Sequence, residues 1–335
     1  MALAALLIAV ITLPLSSPAR GELTIIEHPV EASRPLRLLV IGDWGRKGRY
    51  NQSGVAKQMG KVAEDVSIDM VVSTGDNFLD DGLASVDDKA FHESFVDVYT
   101  AKSLQKPWYL VLGNHDYRGD VLAQLDPALR NIDSRFICMR SFVVEAGEDH
   151  YDWREVAPRE AYIENLLKDL DTAMKRSRAT WKVAVGHHTM RSVSSHGDTQ
   201  ELLQLLLPVL KDNSIDLYIN GHDHCLEHIS SRDSCSPIQY FTSGGGSKAW
   251  RGVFRPNDDK LEFFYDGQGF MSLEVDGDLA RAVFYDIDGQ ALHSWSLSKS
   301  RRLQVDQPPI CSCSSKIRSC SSNLDAKSIY AVSSS

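Results

Sequence analysis

Five short apolar segments of this 335-residue sequence each run into a glycine that is followed by a side chain able to bind a metal ion. Such apolar runs are typical of strands that are buried on both faces of a sheet. The side chains after the five glycines are Asp43, Asp76, Asn114, His187 and His222. In an α/β sheet the ligand site lies outside the carboxyl ends of the strands, so groups far apart in sequence converge there. The recurrence therefore predicts an α/β fold with one polar site at the strand ends.

The segments between these strands have the periodicity of helices. Apolar residues recur at helical spacing over 53–65 and, most strongly, over 159–175, and shorter helical stretches are expected over 90–99 and 201–211. Alternation of strand and helix is typical of α/β folds. The predicted strands are 36–41, 69–74, 108–112, 181–185, 215–220 and, near the end of the folded region, 291–297.

The residue types after the glycines favour a metal site over ordinary turns. A single Gly-Asp after a strand is usually a turn capped by its Asp, but five such positions with mixed Asp, Asn and His match the donors that borderline divalent ions prefer. His224 follows His222 at i+2, so the two imidazoles can coordinate metal together. Clustered carboxylates also need cations in order to lie side by side.

Charge and composition restrict the class of protein. The hydrophobic content of 43% is enough for a sizeable core, and the net charge of −9 argues against a nucleic-acid binder. The Gly244-Gly245-Gly246 run lacks the Lys of a P-loop and is interpreted as a flexible turn lining the site.

Both ends of the chain are expected to lie outside the folded region. Residues 1–19 have the uncharged apolar run and small cleavage-site residues of a secretory signal peptide. The alternative, a membrane anchor, needs a spanning run of about 20 residues. Residues 298–335 are rich in Ser and lack periodicity, so a disordered tail is predicted, and 20–297 is the predicted catalytic domain. The chain is therefore predicted to be secreted, to the extracellular space or a vacuole, with no membrane attachment after signal removal.

Two sequence features leave alternatives open. Six cysteines do not form a disulfide scaffold, and Cys225 either pairs with Cys235 or stays free. The sequon at Asn51 allows glycosylation, but Asn or Ser there is also a natural cap for the following helix.

The ordered motifs resemble those of the calcineurin-like metallophosphoesterases and, more closely, the small plant-type purple acid phosphatases. The resemblance covers about residues 37–295. It implies two mixed β-sheets packed as a sandwich and flanked by helices. The motifs are Gly42-Asp43-Trp44-Gly45, Gly75-Asp76-Asn77-Phe78, Gly113-Asn114-His115-Asp116, Val185-Gly186-His187 and Gly221-His222-Asp223-His224.

This resemblance implies a dinuclear metal centre that hydrolyses phosphate monoesters at acidic pH. The metals would be Fe(III) and a divalent ion, Fe, Zn or Mn, which activate water as a hydroxide nucleophile. His115 and His196 match the family's histidines that orient the phosphate and protonate the leaving group, whereas His188 has no match and is expected to line the site. A monomer acting on a phosphate ester is expected. Fe(III) would be held by Asp43, Asp76 and His224, and the divalent ion by Asp76, Asn114, His187 and His222.

Two departures from the family pattern change these expectations. Leu79 stands where the family has a tyrosine ligand to Fe(III), so weaker ferric binding and no purple colour are expected. Between Val144 and Tyr151 the sequence lacks a stretch that forms a core strand in the family, so the sandwich is expected to be one strand short. Two alternatives therefore stay open: a phosphodiesterase with the same metal core, and a metal-binding or phosphate-binding paralogue with weak or no activity.

Overall fold

Two large mixed β-sheets and flanking helices make up the fold. The computed structural model describes residues 6–11, 17–18, 23–29, 34–145, 156–157, 159–230 and 238–299. In this part of the chain the α-helices are α1 (Gln52–Val66), α2 (Val121–Leu125), α3 (Pro127–Ile132), α4 (Arg159–Arg176) and α5 (Leu207–Asp212). Single turns of π-helix cover His92–Val96 and Leu202–Leu206, and 3₁₀ turns cover Lys102–Leu104 and Asp116–Arg118.

Strands alternate with these helices between residues 36 and 220. Their bounds are β1 (Leu6–Ile11), β2 (Ser17–Pro18), β3 (Thr24–Glu27), β4 (Leu36–Ile41), β5 (Met70–Ser73), β6 (Trp108–Leu110), β7 (Phe136–Cys138), β8 (Ser141–Glu145), β9 (Val156–Ala157), β10 (Trp181–Gly186), β11 (Leu217–Asn220), β12 (Leu226–Ser230), β13 (Gln239–Ser243), β14 (Lys260–Tyr265), β15 (Gly269–Asp276), β16 (Leu279–Asp286) and β17 (Ala291–Ser298).

Each large sheet contains a group of parallel strands whose carboxyl ends lie together at one edge of that sheet. The first sheet has the order β17-β16-β15-β4-β5-β6-β7, in which β4 to β7 are parallel. The second has the order β14-β12-β13-β11-β10-β1-β8-β3, in which β1, β10, β11 and β13 are parallel. Strands β2 and β9 pair separately.

Alternation of side chains along the strands builds three apolar layers. Leu38 and Val40 of β4 face Val183 and Val185 of β10 in the core between the two sheets. Their neighbours on the other face of β4 pack with α1 in a second layer. The outer face of the eight-stranded sheet packs with α4 and α5 in a third layer, which includes Leu170 and Leu210. The predicted sandwich with helices outside is therefore confirmed.

The predicted elements mostly lie where the sequence placed them, and the differences have local causes. The helix expected over 201–211 forms as a π-turn at Leu202–Leu206 followed by α5, which has Pro208 in its first turn. Proline has no N–H to donate to the preceding turn, so a regular α-helix cannot run through this position. The helix expected over 90–99 is also mainly a π-turn, at His92–Val96.

The eight-stranded sheet is continuous in the described part of the chain. Strand β1, which comes from the predicted signal peptide, lies between β8 and β10 and pairs with both. Most of the stretch between Val144 and Tyr151, where the sequence lacks a family strand, lies outside the described residues, so that expectation stays a prediction. Among the described helices, none is both long and apolar enough to cross a bilayer. The predicted tail beyond residue 299 lies outside the described residues.

Candidate metal centre

All six predicted ligands lie at the carboxyl ends of parallel strands. The seven-stranded sheet supplies Asp43 after β4, Asp76 after β5 and Asn114 after β6, whereas the eight-stranded sheet supplies His187 after β10 and His222 and His224 after β11. One sheet thus contributes the oxygen donors and the other contributes the imidazoles. The site lies where these strand ends of the two sheets meet.

Three of these residues adopt a left-handed backbone conformation that other residues rarely take. Asp43, Asp76 and His222 have φ angles of 59°, 50° and 69°. Such a conformation costs on the order of 1–3 kcal/mol per residue and persists only where the surroundings fix it. The Asp43 amide donates to the Gly75 carbonyl over 2.9 Å, and the His222 amide donates to Asp43 Oδ2 over 3.0 Å. The turns thus hold one another in the conformation that aims the side chains inward.

The donor atoms are close enough to share a cation. One atom from each of Asp43, Asp76 and His187 lies within 4.8 Å of the others. His187 Nε2 lies 3.4 Å from Asp76 Oδ1 and 3.0 Å from Asn114 Oδ1, and His224 Nε2 lies 3.4 Å from Asp43 Oδ1. That Asp43 oxygen is buried and has no hydrogen-bond partner among the described residues. A buried carboxylate oxygen without a partner is costly, so this donor set fits a metal ion.

Backbone carbonyls orient two of the imidazoles toward the centre. His187 Nδ1 donates to the Thr74 carbonyl over 2.9 Å, and His224 Nδ1 donates to the Lys248 carbonyl over 2.5 Å. Because a carbonyl only accepts, each ring is held as the tautomer whose Nε2 lone pair faces the carboxylates. His222 Nδ1 lies 3.2 Å from His187 Nε2, so a cation there would satisfy both nitrogens.

Burial raises the pKa of the aspartates and lowers the pKa of the histidines in this site. Loss of solvent raises the pKa of Asp43 and Asp76 well above the usual range, and neighbouring carboxylates add to both shifts. Loss of solvent and the neighbouring imidazoles lower the pKa of His187 and His222 well below 6.5. A bound cation stabilises ionised carboxylates and neutral imidazoles, so metal binding favours the forms that coordinate.

The two predicted catalytic histidines lie at the mouth of the centre. His115 Nε2 is 3.8 Å from Asp76 Oδ2, and its Nδ1 hydrogen-bonds to the Asp80 carbonyl. His196 stacks on the His222 ring at a centroid distance of 3.9 Å, and its side chain is 39% exposed. Both can therefore reach a group that approaches from solvent.

Two buried aspartates hold these histidines, and sequence reasoning gave neither of them a role. Asp116 accepts hydrogen bonds from the amides of Gly113 (2.8 Å), Asn77 (3.0 Å) and Phe78 (3.1 Å). It thereby fixes the turn that carries Asn114 and His115. Asp223 accepts from the amide of His196 over 3.1 Å and contacts its Nδ1 at 2.8 Å. In the sequence, the only indication of a role for these two aspartates is that each lies inside a motif, directly beside a histidine.

The sequence also drew attention to His188, the Gly244–Gly246 turn, Asn51 and Cys225, whose contacts are as follows. His188 lies against the His222 ring at 4.4 Å, and burial lowers its pKa to about 4. The Gly244–Gly246 turn is packed tightly, since a Cβ on Gly244 would meet the Asp223 carbonyl at 2.1 Å. Asn51 is the N-cap residue of α1, but its side chain makes no capping hydrogen bond. Cys225 is buried, and Cys235 lies outside the described residues.

Glu227 gives the site region a predicted pH dependence of stability. It accepts from the Val193 amide over 2.7 Å, and burial raises its pKa to about 8, above the ordinary 4.5. The protonated form is favoured in the folded chain, so its contribution is full below about pH 4.5 and is lost as the pH rises to about 8. In urea unfolding of the metal-free protein, the wild type should lose on the order of 3–5 kcal/mol more than Glu227→Gln between pH 4.5 and 8.5. Equal losses in both proteins would contradict the assignment.

The fold and the donor set define a class of protein, the metal-dependent phosphoesterases. Residues 36–226 match the family model of the calcineurin-like phosphoesterases. Purple acid phosphatase 4 of Arabidopsis thaliana is 51% identical over 316 residues, which cover 88% of this chain and 93% of that protein. Human tartrate-resistant acid phosphatase type 5 is 26% identical over 81% of this chain and 93% of that protein. The chain belongs to the purple acid phosphatase family.

Solved structures of low sequence identity support the fold. The Plasmodium protein GAP50, described as an anchor in the inner membrane complex, aligns with a TM-score of 0.67 at 24% identity, over 79% of this chain and 89% of that chain. The purple acid phosphatase PPD1 of yellow lupin, Lupinus luteus, aligns with a TM-score of 0.56 at 16% identity, over 79% of this chain and 54% of that chain. The fold is therefore shared by a protein that is described as an anchor and by one that is described as a phosphatase.

Proposed function

We propose that this chain is an acid phosphatase that hydrolyses phosphate monoesters at a dinuclear metal centre. The observation that carries the proposal is the convergence of Asp43, Asp76 and His187, with His224 beside the buried Asp43 Oδ1, which has no hydrogen-bond partner among the described residues. Relatives at about half identity are named purple acid phosphatases, which supports the reaction class.

The geometry supports the following assignment of ligands. Two bound cations would neutralise the charge of the phosphate oxygens and lower the pKa of a bound water to near neutrality. The pairing of His224 with Asp43, and of His187 with Asp76 and Asn114, supports two ions with Asp76 between them. Under this assignment the Fe(III) ligands are Asp43, Asp76 and His224, and the ligands of the divalent Fe, Zn or Mn ion are Asp76, Asn114, His187 and His222.

His115 and His196 are assigned to the substrate. Asp223 contacts His196 Nδ1 and keeps the ring in place, so its solvent-facing side can donate a proton to the departing alcohol oxygen. His115 Nδ1 donates to the Asp80 carbonyl, so the ring can donate to a phosphate oxygen through Nε2 only in its protonated form. The two rings approach from opposite sheets, so together they orient the phosphate between them.

Leu79 is the observation that favours the second candidate, a metal-binding or phosphate-binding paralogue with weak or no activity. Its amide donates to the Gly45 carbonyl over 2.9 Å, so it lies beside the turn that carries Asp43. A leucine cannot coordinate, and loss of an anionic phenolate weakens binding of a hard trivalent ion most. The Fe(III) site would then have three protein ligands.

One experiment separates these functions. Metal content is measured on the purified wild type and on Leu79→Tyr, and both are assayed at pH 5 with p-nitrophenyl phosphate and with bis(p-nitrophenyl) phosphate. We expect about two metals per chain, monoester turnover that EDTA abolishes, and visible ferric absorption only in Leu79→Tyr. Faster diester turnover would indicate the phosphodiesterase alternative. Bound metal without turnover in the wild type would indicate the binding paralogue.

The remaining sequence-based proposals concern the whole chain. A signal peptide over 1–19, secretion, a catalytic domain over 20–297, a disordered tail over 298–335, glycosylation of Asn51 and a monomeric state stay predictions.

A further inference from the structure

A basic cleft lies along α1, on the side of the seven-stranded sheet that faces away from the eight-stranded sheet. One wall is α1 itself, and the other is the segment 98–106. The volume of the cleft is about 810 Å³, which is in the range of small-molecule sites. Six cationic side chains line it: Arg34, Arg37, Lys57, Lys61, Lys102 and Lys106.

The two walls of the cleft touch each other directly. Ser103 Oγ donates to the Gly60 carbonyl of α1 over 2.5 Å. A Cβ on Gly60 would lie 2.6 Å from the Ala101 Cβ, so the absence of a side chain at Gly60 lets the walls come this close. The backbone that forms the cleft is therefore held in place by packing, and the cleft is preformed.

The arginines of the cleft already have carboxylate partners. Arg34 forms an ion pair with Asp69, and Arg37 Nε lies 2.6 Å from Glu274 Oε2. A guanidinium that is engaged in this way has fewer N–H groups to offer a ligand. Recognition of a ligand would therefore fall mainly to the lysines.

The four lysines leave the cleft with an excess of positive charge. They form no ion pair with another described residue. Glu64 is the only acidic side chain among the described residues that line the cleft, although the whole chain has 45 acidic and 36 basic residues. Lys57 and Lys61 lie one turn apart on α1, where like charges repel. An anion bound between the two walls would relieve this repulsion.

The lining indicates the chemical class of the anion. Lysine binds phosphate as a point charge, whereas planar, bidentate recognition of a carboxylate relies on arginine. The hydroxyl groups of Ser67 and Thr100 also line the cleft and can donate to phosphate oxygens. A phosphate monoester group carries about 1.5 to 2 negative charges near pH 7, so four lysines match a ligand with several such groups.

The cleft is separate from the candidate metal centre. None of the six proposed metal ligands lines it. Arg37 lies near the amino end of β4, whereas Asp43 follows its carboxyl end, about 20 Å away along the strand. Binding at the two places can therefore be measured separately.

We propose that this cleft is a second binding site of the protein and that it takes a small anion with three or more phosphate groups. Lys57 and Lys61 of α1 hold the anion from one side, and Lys102 and Lys106 hold it from the other. The inference does not depend on the proposed phosphatase activity.

Calorimetric titration with the methylene-bridged analogue of tripolyphosphate tests the proposal, because this probe has no P–O–P bond to hydrolyse. The full chain is titrated after its metals have been removed with EDTA, so that the metal centre cannot bind the probe through its ions. The wild type is compared with Lys57→Gln/Lys61→Gln and with the control Lys89→Gln/Lys168→Gln, which removes two exposed charges outside the cleft. We expect the cleft variant to bind the probe at least about tenfold more weakly than the wild type, and the control to bind within about twofold of it.

Two further measurements locate the site and define its chemistry. In the wild type, both metal-free and as purified, the probe should slow amide hydrogen exchange in α1, and it should not do so in the cleft variant. Citrate, a polycarboxylate, should bind at least about tenfold more weakly than the probe. Melting temperatures of the three proteins should agree within about 2 °C, because glutamine has nearly the helix propensity of lysine.

Equal affinity of the wild type and the cleft variant for the probe would overturn the proposal. Equal affinity of the wild type for citrate and for the probe would overturn the phosphate class of the ligand, and unchanged exchange in α1 would overturn its location. None of these readouts uses turnover, so failure of the proposed function would be seen separately.

Discussion

A chain with Asp76→Asn is expected to lose at least about 10³-fold in monoester turnover while its metal-free form becomes more stable. Asp76 faces His187 through one oxygen and His115 through the other, so under the proposed assignment it touches both ions. The amide keeps the shape but removes the charge that two cations need. Without metal, the same change removes a buried carboxyl group whose ionisation is disfavoured by burial and by the nearby carboxylates of Asp43 and Asp116.

Turnover, metal content and urea unfolding of the metal-free protein check this expectation. The stability gain should be about 1 kcal/mol or more, since burial and like charge both disfavour the ionised Asp76. Asp81→Asn is the matched control, because Asp81 is exposed and lies in the same loop. Full metal content together with wild-type turnover in Asp76→Asn would refute the bridging role.

Replacing Asp116 with alanine is expected to destabilise the protein by about 4 kcal/mol and to lower turnover by at least about 100-fold. The change leaves the buried amides of Gly113, Asn77 and Phe78 without their acceptor. Each unsatisfied buried donor costs about 1–3 kcal/mol. The turn with Asn114 and His115 then loses its anchor.

Urea unfolding gives the stability change, and kcat measured well below the melting temperature separates loss of activity from unfolding. Asp120→Ala is the control, because Asp120 is an exposed helix cap that accepts from the Leu122 amide over 3.1 Å. Loss of such a cap costs about 1 kcal/mol, and turnover should be unchanged. If Asp116→Ala behaves like Asp120→Ala, the anchoring role is wrong.

The strands and the polar strand ends were predictable because their signal is local. An apolar run that stops at a glycine identifies β4, β5 and β10 without knowledge of their neighbours. The six donors of the metal centre follow from the same pattern and from the family resemblance. The structure brings them together, while their role as ligands stays a proposal.

The remaining features depend on partners that are distant in sequence. Which strands share a sheet depends on packing across the sandwich, so the division of oxygen donors and imidazoles between two sheets could not be read from the motifs. The support given by Asp116 and Asp223 depends on backbone amides of other loops. The pairing of β1 with β8 and β10 was not predicted, because a fully apolar run also satisfies the criteria for a leader.

The division of the donor set between two sheets has a consequence for how the molecule holds together. A metal bound by oxygens of one sheet and imidazoles of the other is a cross-link through the middle of the sandwich. Under the proposed assignment each ion takes ligands from both sheets, so the bound ions would favour the states in which both sheets are docked. Activity and stabilisation by metal would then both require correct docking of the two sheets. A misassembled chain would be inactive and would also lack the stabilisation that bound ions provide.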